Sequence, residues 1–156
     1  MKKIIITILS FILLLSWMYM MYYFSSQPGL EALPLLEKLQ LLPDINLRDL
    51  DKDLETIARK AGHIIEYAML YILVHVVSGR LFFRKGEKKT AQTVFFSLLF
   101  CFFFALSDEY HQLFVEDRSG RILDICVDIF GVFLGQLLTL LVMLLWPKKK
   151  DPFFLK

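Results

Sequence analysis

The sequence predicts an all-α protein folded as a four-helix transmembrane bundle, and three observations predict it. Apolar runs recur along the chain, each near the twenty or so residues that a helix needs to cross a hydrocarbon core of about 30 Å. Lysine and arginine gather beside the ends of those runs instead of forming a stripe of their own. Three ionisable clusters sit at helix ends that an up-and-down topology brings to one side of the membrane. The expected spans are about 4–24, 61–78, 91–110 and 121–146, within one domain covering residues 1–156.

The first run, Ile4 to Phe24, follows Lys2-Lys3 and ends among Trp17, Tyr19, Tyr22 and Tyr23. A secretory signal has a shorter apolar core and ends in small residues. Here the run is long and closes in aromatics that favour the membrane interface, which makes it a retained span. Residues 25–59 are broken by Pro28, Pro34 and Pro43. Leu47, Leu50, Leu54 and Ile57 recur there at helical spacing, with Asp44 and Asn46 as candidate caps. A short extracytoplasmic amphipathic segment is expected between the first two spans, lying in the interface or over the bundle.

The second span leads into a basic loop, Arg80 to Lys89. The third stays apolar only from Ala91 to Ser107, about 25 Å of helix at 1.5 Å per residue. To cross fully it has to run on through Asp108 and Glu109, which places that acidic pair at the membrane boundary. After a connection over about residues 113–120, the fourth span ends at Trp146-Pro147 and is followed by Lys148-Lys149-Lys150. Basic clusters flank the amino terminus, the 80–89 loop and the tail, whereas residues 25–59 carry seven acids against four bases. The positive-inside rule then puts both termini in the cytoplasm and all three polar clusters on the extracytoplasmic side.

Composition bounds the function. The chain is 56% hydrophobic with a net charge of only +2, and its basic residues form no patch suited to nucleic acid. Cys101 and Cys126 fall inside apolar runs and read as small packing residues. There is no glycine-rich phosphate loop, no Cys-x-x-Cys and no nucleophile elbow.

The clusters are Lys60-x-x-His63-x-x-Glu66-Tyr67, Asp108-Glu109-x-His111-Gln112, and Arg118-x-x-Arg121-x-x-Asp124-x-x-x-Asp128. At about 100° per residue, Arg121, Asp124, Asp128, Gly131 and Gly135 fall within an arc of roughly 80°. That stripe is charged at its outer end and small deeper in, where a neighbouring helix can approach closely, in this bundle or in another protomer. Lys60, His63, Glu66 and Tyr67 share an arc of about 120° on the second helix. Asp108, His111 and Gln112 share a face on the third, with Glu109 at its edge. Lipid is a poor neighbour for such faces, since an ionised side chain in hydrocarbon costs about 2.5–3.5 kcal/mol even on lenient scales.

These residues resemble the VanZ-like membrane protein family. The resemblance rests on Lys60-Ala-Gly-His63-Ile-Ile-Glu66-Tyr67, on Ser107-Asp108-Glu109-Tyr110-His111-Gln112, and on Arg118-Ser-Gly120 with Asp124-x-x-x-Asp128-x-x-Gly131-x-x-x-Gly135. It covers about residues 60–135, with a weaker echo in Ser25-Ser26-Gln27-Pro28. One departure is Glu116-Asp117, where the family pattern has Pro-Gly; the added acidic pair could salt-bridge Arg118, so neither the family's turn nor its role for that arginine carries over directly. The resemblance implies a multi-pass protein of the bacterial cell membrane, connected with resistance to teicoplanin-type glycopeptides. It supplies no reaction.

Three functions fit these residues. In an enzyme acting on a lipid or lipid-linked cell-wall precursor, His63, Glu66, Asp108, Glu109, Asp124 and Asp128 are the candidate acid–base groups. Lys60, Tyr67, His111, Gln112, Arg118 and Arg121 would then bind the headgroup. In a binding factor without turnover, the same residues act as ligands only. A proton or ion relay is disfavoured because the cytoplasmic halves of the helices look dry. The sequence leaves open any cofactor: carboxylates with a histidine suit a divalent metal, yet neither Glu-x-x-His nor His-Glu-x-x-His occurs. It also leaves the oligomeric state open.

Overall fold

The computed structural model describes residues 2–27, 52–81, 87–115 and 121–145, and among these residues the fold is entirely helical. Four helices follow in order: α1 (Lys2–Ser25), α2 (Lys52–Leu81), α3 (Glu87–Gln112) and α4 (Ile122–Leu145). Each contains a segment long and apolar enough to cross a membrane: Ile4–Ser25, Thr56–Leu81, Thr90–Gln112 and Ile122–Leu145. Most of the large apolar side chains on α1, α3 and α4 are exposed, as expected where lipid, not water, is the solvent. Residues 28–51 of the expected amphipathic segment, Glu116-Asp117, Arg118 and the lysines after Pro147 lie outside the described residues.

The start of the second helix differs from the hydropathy reading. Helix α2 begins by Lys52, well ahead of residue 61, because the stretch from Lys52 to Arg59 has no proline or glycine and favours helix. Hydropathy marks where the membrane starts and not where the helix does. Leu54 and Ile57 therefore belong to α2. Helix α3 runs through Asp108 and Glu109 to Gln112, as its length requires. It closes with Phe114 N–H donating to the His111 carbonyl at 3.0 Å and Val115 N–H to the Gln112 carbonyl at 3.2 Å.

Helix α2 is the centre of the bundle and packs against α1, α3 and α4; its most extensive pairing is with α4. Tyr67, Leu70, Tyr71, Val74 and Val77 form its buried face at the expected three- and four-residue steps. The α2–α4 pairing depends on glycine. A Cβ on Gly131 would lie 2.9 Å from Ile64 Cα, and one on Gly135 would lie 3.0 Å from Ala68 Cα. Both glycines are therefore consumed by packing within this chain. The constant offset, 131 against 64 and 135 against 68, also shows that α2 and α4 run parallel.

Helix α3 faces the core with Thr93, Ser97, Cys101 and Ala105, all buried and one every four residues. Small residues at this spacing let helices approach closely, as glycines do. Ser97 Oγ donates to the Thr93 carbonyl at 2.7 Å and shares a 3.2 Å bond with Ser78 Oγ on α2. With buried Tyr71 and half-buried His75, these hydroxyls make the half of the bundle away from the acidic clusters less dry than its sequence suggests. Hydropathy penalises the hydroxyl residues only weakly, and the single imidazole is averaged out by its apolar neighbours. Both cysteines are free, Cys101 buried and Cys126 exposed.

Candidate functional site

Helix α1 ends, α2 begins, α3 ends and α4 begins at the same end of the bundle. Contacts between the helices fix this arrangement. Trp17 Nε1 on α1 donates to the Glu66 carbonyl on α2 at 3.1 Å. Ser26 Oγ, just past α1, bonds His111 Nε2 on α3 at 3.0 Å. His63 on α2 meets Asp128 on α4. The three polar clusters thereby share one depth.

At the floor of the site, His63 Nδ1 and Asp128 Oδ1 lie 3.1 Å apart. The Asp128 residue is 0% exposed, and its second oxygen, Oδ2, has no hydrogen-bond partner among the described residues. Asp108, 8% exposed, is held from α2 and from its own helix: Tyr67 Oη donates to its Oδ2 at 3.5 Å and Gln112 Nε2 donates to the same oxygen at 3.3 Å. Both bonds are long, so the hold is loose. One potential ligand atom from each of His63, Asp108 and Asp128 lies within 4.8 Å of the others, and the three residues come from three helices.

Glu109, 5% exposed, accepts a hydrogen bond from the backbone N–H of Arg121 at 2.9 Å. Arg121 stands at the start of α4, where its carbonyl accepts from Asp124 N–H at 2.9 Å. A carboxylate from α3 thus anchors the first turn of α4. The other oxygen of Glu109, Oε1, is buried without a partner among the described residues.

Above this floor opens a polar cavity of about 380 Å³. Its lining includes Arg59, Lys60 and Arg121, all exposed, then half-buried Asp124, and then His63, Glu109 and Gln112 further in. Exposure therefore grades from a basic mouth to a carboxylate–imidazole floor. A basic rim suits phosphate or another anionic headgroup. An imidazole oriented by a buried carboxylate suits proton transfer.

Of the sequence candidates, the structure brings Lys60, His63, Glu109, Gln112, Arg121 and Asp124 to the cavity wall, with Tyr67, Asp108 and Asp128 directly behind. Glu66 is not among the lining residues. His111 turns toward α1, where its ring stacks on Tyr22 with centroids 4.7 Å apart. Two polar lining residues were not singled out from sequence, Thr56 and Arg59. The signal was present: they stand seven and four residues before His63, on its own helical face.

Four membrane-length helices with an acid–histidine site buried at one end define a multi-pass membrane protein with a polar pocket at that end. The chain belongs to the VanZ/LLP1 family, whose model matches residues 10–144. No curated protein and no solved structure matches it.

Proposed function

We propose that this protein is a bacterial envelope membrane protein whose cavity receives the anionic headgroup of a lipid or lipid-linked cell-wall precursor from the extracytoplasmic side. The graded cavity carries this reading: Arg59, Lys60 and Arg121 surround an opening whose floor holds His63, backed by Asp128 and Asp108. Arginine and lysine at the mouth bind phosphate oxygens through charge-assisted hydrogen bonds. A second groove, about 290 Å³ and wholly apolar in its lining, is formed by Leu98, Phe102, Val132 and Phe133 among others on α3 and α4. From Phe102 to Asp108 is about 9 Å along the helix, a distance that lets an amphiphile place its chain beside the bundle and its headgroup in the cavity.

The hydrogen-bonded His63–Asp128 pair favours turnover over binding alone. Asp128 orients the imidazole, and His63 faces the cavity, where it can accept or donate a proton at a bound headgroup. In the cell, sequestering or modifying such a lipid is the route by which the protein would lower sensitivity to teicoplanin-type drugs.

The test uses full-length protein in lipid nanodiscs with polyprenyl phosphate, polyprenyl pyrophosphate or phosphatidylglycerol as probes, and measures binding and product release together. Saturable binding of one of these is expected, and Asp108→Asn should retain the fold while losing turnover. Binding with no product in wild type would assign the protein as a binding factor. The absence of saturable binding to any anionic amphiphile would overturn the headgroup reading.

A further inference from the structure

The floor of the cavity has a feature that headgroup binding does not require. Asp128 is fully buried, yet one of its oxygens has no partner among the described residues, while Asp108 is held by only two long hydrogen bonds. Burying an unsatisfied carboxylate oxygen is costly, and a carboxylate kept in that state is characteristically paired or coordinating a metal. The geometry points to a divalent first-row cation, Mn²⁺ or Zn²⁺, bound by His63, Asp108 and Asp128.

Three observations support the site. The donor set is one imidazole nitrogen and two carboxylates, which suits Zn²⁺ or Mn²⁺ better than Cu⁺ or Ca²⁺. Two donor atoms about 2.1 Å from one ion stand about 3.0–3.4 Å apart for bond angles between octahedral and tetrahedral. His63 Nδ1 and Asp128 Oδ1 are 3.1 Å apart, and one oxygen of Asp108 lies within 4.8 Å of a ligand atom on each of the other two residues. Rotation of the loosely held Asp108 carboxylate closes the remaining gap. Three protein ligands beside an open cavity also leave a position for water or for a phosphate oxygen, as in metal sites that act on a substrate.

The neighbours fit an outer shell. Tyr67 and Gln112 both donate to Asp108 Oδ2, which orients the carboxylate. A cation at His63 Nδ1 takes the place of the hydrogen shared with Asp128 Oδ1, and the neutral imidazole then carries its proton on Nε2. The cation's service to a headgroup phosphate rests on the reading proposed above, whereas the site itself stands on this geometry.

The test is metal binding by full-length protein, stripped with chelator and reconstituted in nanodiscs. Titration with Mn²⁺ and with Zn²⁺ should give one site per chain. Bound Mn²⁺ should show nitrogen coupling from the imidazole in its electron-spin-echo spectrum. Asp128→Asn should lower affinity about a hundredfold and Tyr67→Phe roughly tenfold, whereas His75→Gln should leave it unchanged. If Asp128→Asn does not fold, the nitrogen coupling in wild type, and its loss in His63→Gln, decides the matter. Absence of stoichiometric binding, or a bound Mn²⁺ without nitrogen coupling, would overturn the proposal. Lipid binding measured in the same nanodiscs with chelator present separates the two ideas: lipid that binds without metal preserves the headgroup reading even where the cation site fails.

Discussion

Helices α2 and α4 run side by side, yet the two halves of their contact have opposite chemistry. In one half, Gly131 and Gly135 lie directly on the backbone of Ile64 and Ala68, and no side chain separates the helices. One turn away, His63 and Asp128 face each other, and the space beyond them opens into the polar cavity. The difference teaches how a membrane bundle can hold buried carboxylates. Helices in lipid gain little from hydrophobic burial and associate through close packing. The glycine contact supplies that packing and fixes the helix separation within a turn of the site. Side chains just above it then meet at hydrogen-bond distance on a rigid support.

The largest expected effect comes from breaking the packed half. Gly135→Val puts a branched side chain into Ala68 backbone, which cannot move aside as a flexible side chain would. The expected loss is about 3 kcal/mol of bundle stability, the upper part of the usual range for overpacking. It should appear as a lower unfolding midpoint in nanodiscs, together with loss of lipid binding although no cavity residue has changed. Gly62→Ala is the control. A Cβ there meets nothing within 4 Å, so the substitution should be neutral or should stabilise α2 by up to about 1 kcal/mol through helix propensity. A Gly135→Val protein as stable as wild type would show that the seam does not depend on glycine.

Breaking the polar half should leave the packing intact. Arg59→Gln and Lys60→Gln remove exposed cations from the cavity wall. Each should weaken headgroup binding by about tenfold, the loss of one charge-assisted hydrogen bond worth roughly 1.5 kcal/mol. The unfolding midpoint should stay at the wild-type value, because exposed charges contribute little to stability. Affinity unchanged in both variants would move the headgroup away from this mouth.

The same two halves show what could be read from the sequence. Four spans and the continuation of α3 through Asp108 and Glu109 followed from the length of the apolar runs, and the stripe from Asp128 through Gly131 to Gly135 from helical periodicity within a single element. The choice between packing inside one chain and packing between protomers did not, because periodicity gives a face without its partner. The convergence of the three clusters was expected, but the selection of His63, Asp108 and Asp128 from among them was not: ligand-spacing rules look along one helix, and these residues stand on three. Arg59 and Thr56 escaped because the hydropathy reading starts the second span at residue 61, after the helix has already begun at Lys52. The ridge of Thr93, Ser97, Cys101 and Ala105 escaped because its residues differ in chemistry and agree only in size.

The smallest effect is also the sharpest test of where the site stops. His111 belongs to the same sequence cluster as Asp108 and Glu109, yet its ring stacks on Tyr22 and its Nε2 bonds Ser26, both from the α1 segment. Its geometry is that of a clasp between α1 and α3. His111→Phe preserves an aromatic ring for stacking and removes only the bond to Ser26. The expected cost is about 1 kcal/mol, the usual net worth of one hydrogen bond. Headgroup affinity and turnover should remain at wild-type level, since the ring points away from the cavity lining. A tenfold loss of affinity with an unchanged unfolding midpoint would instead extend the site to His111, and the polar half of the bundle would then reach as far as α1.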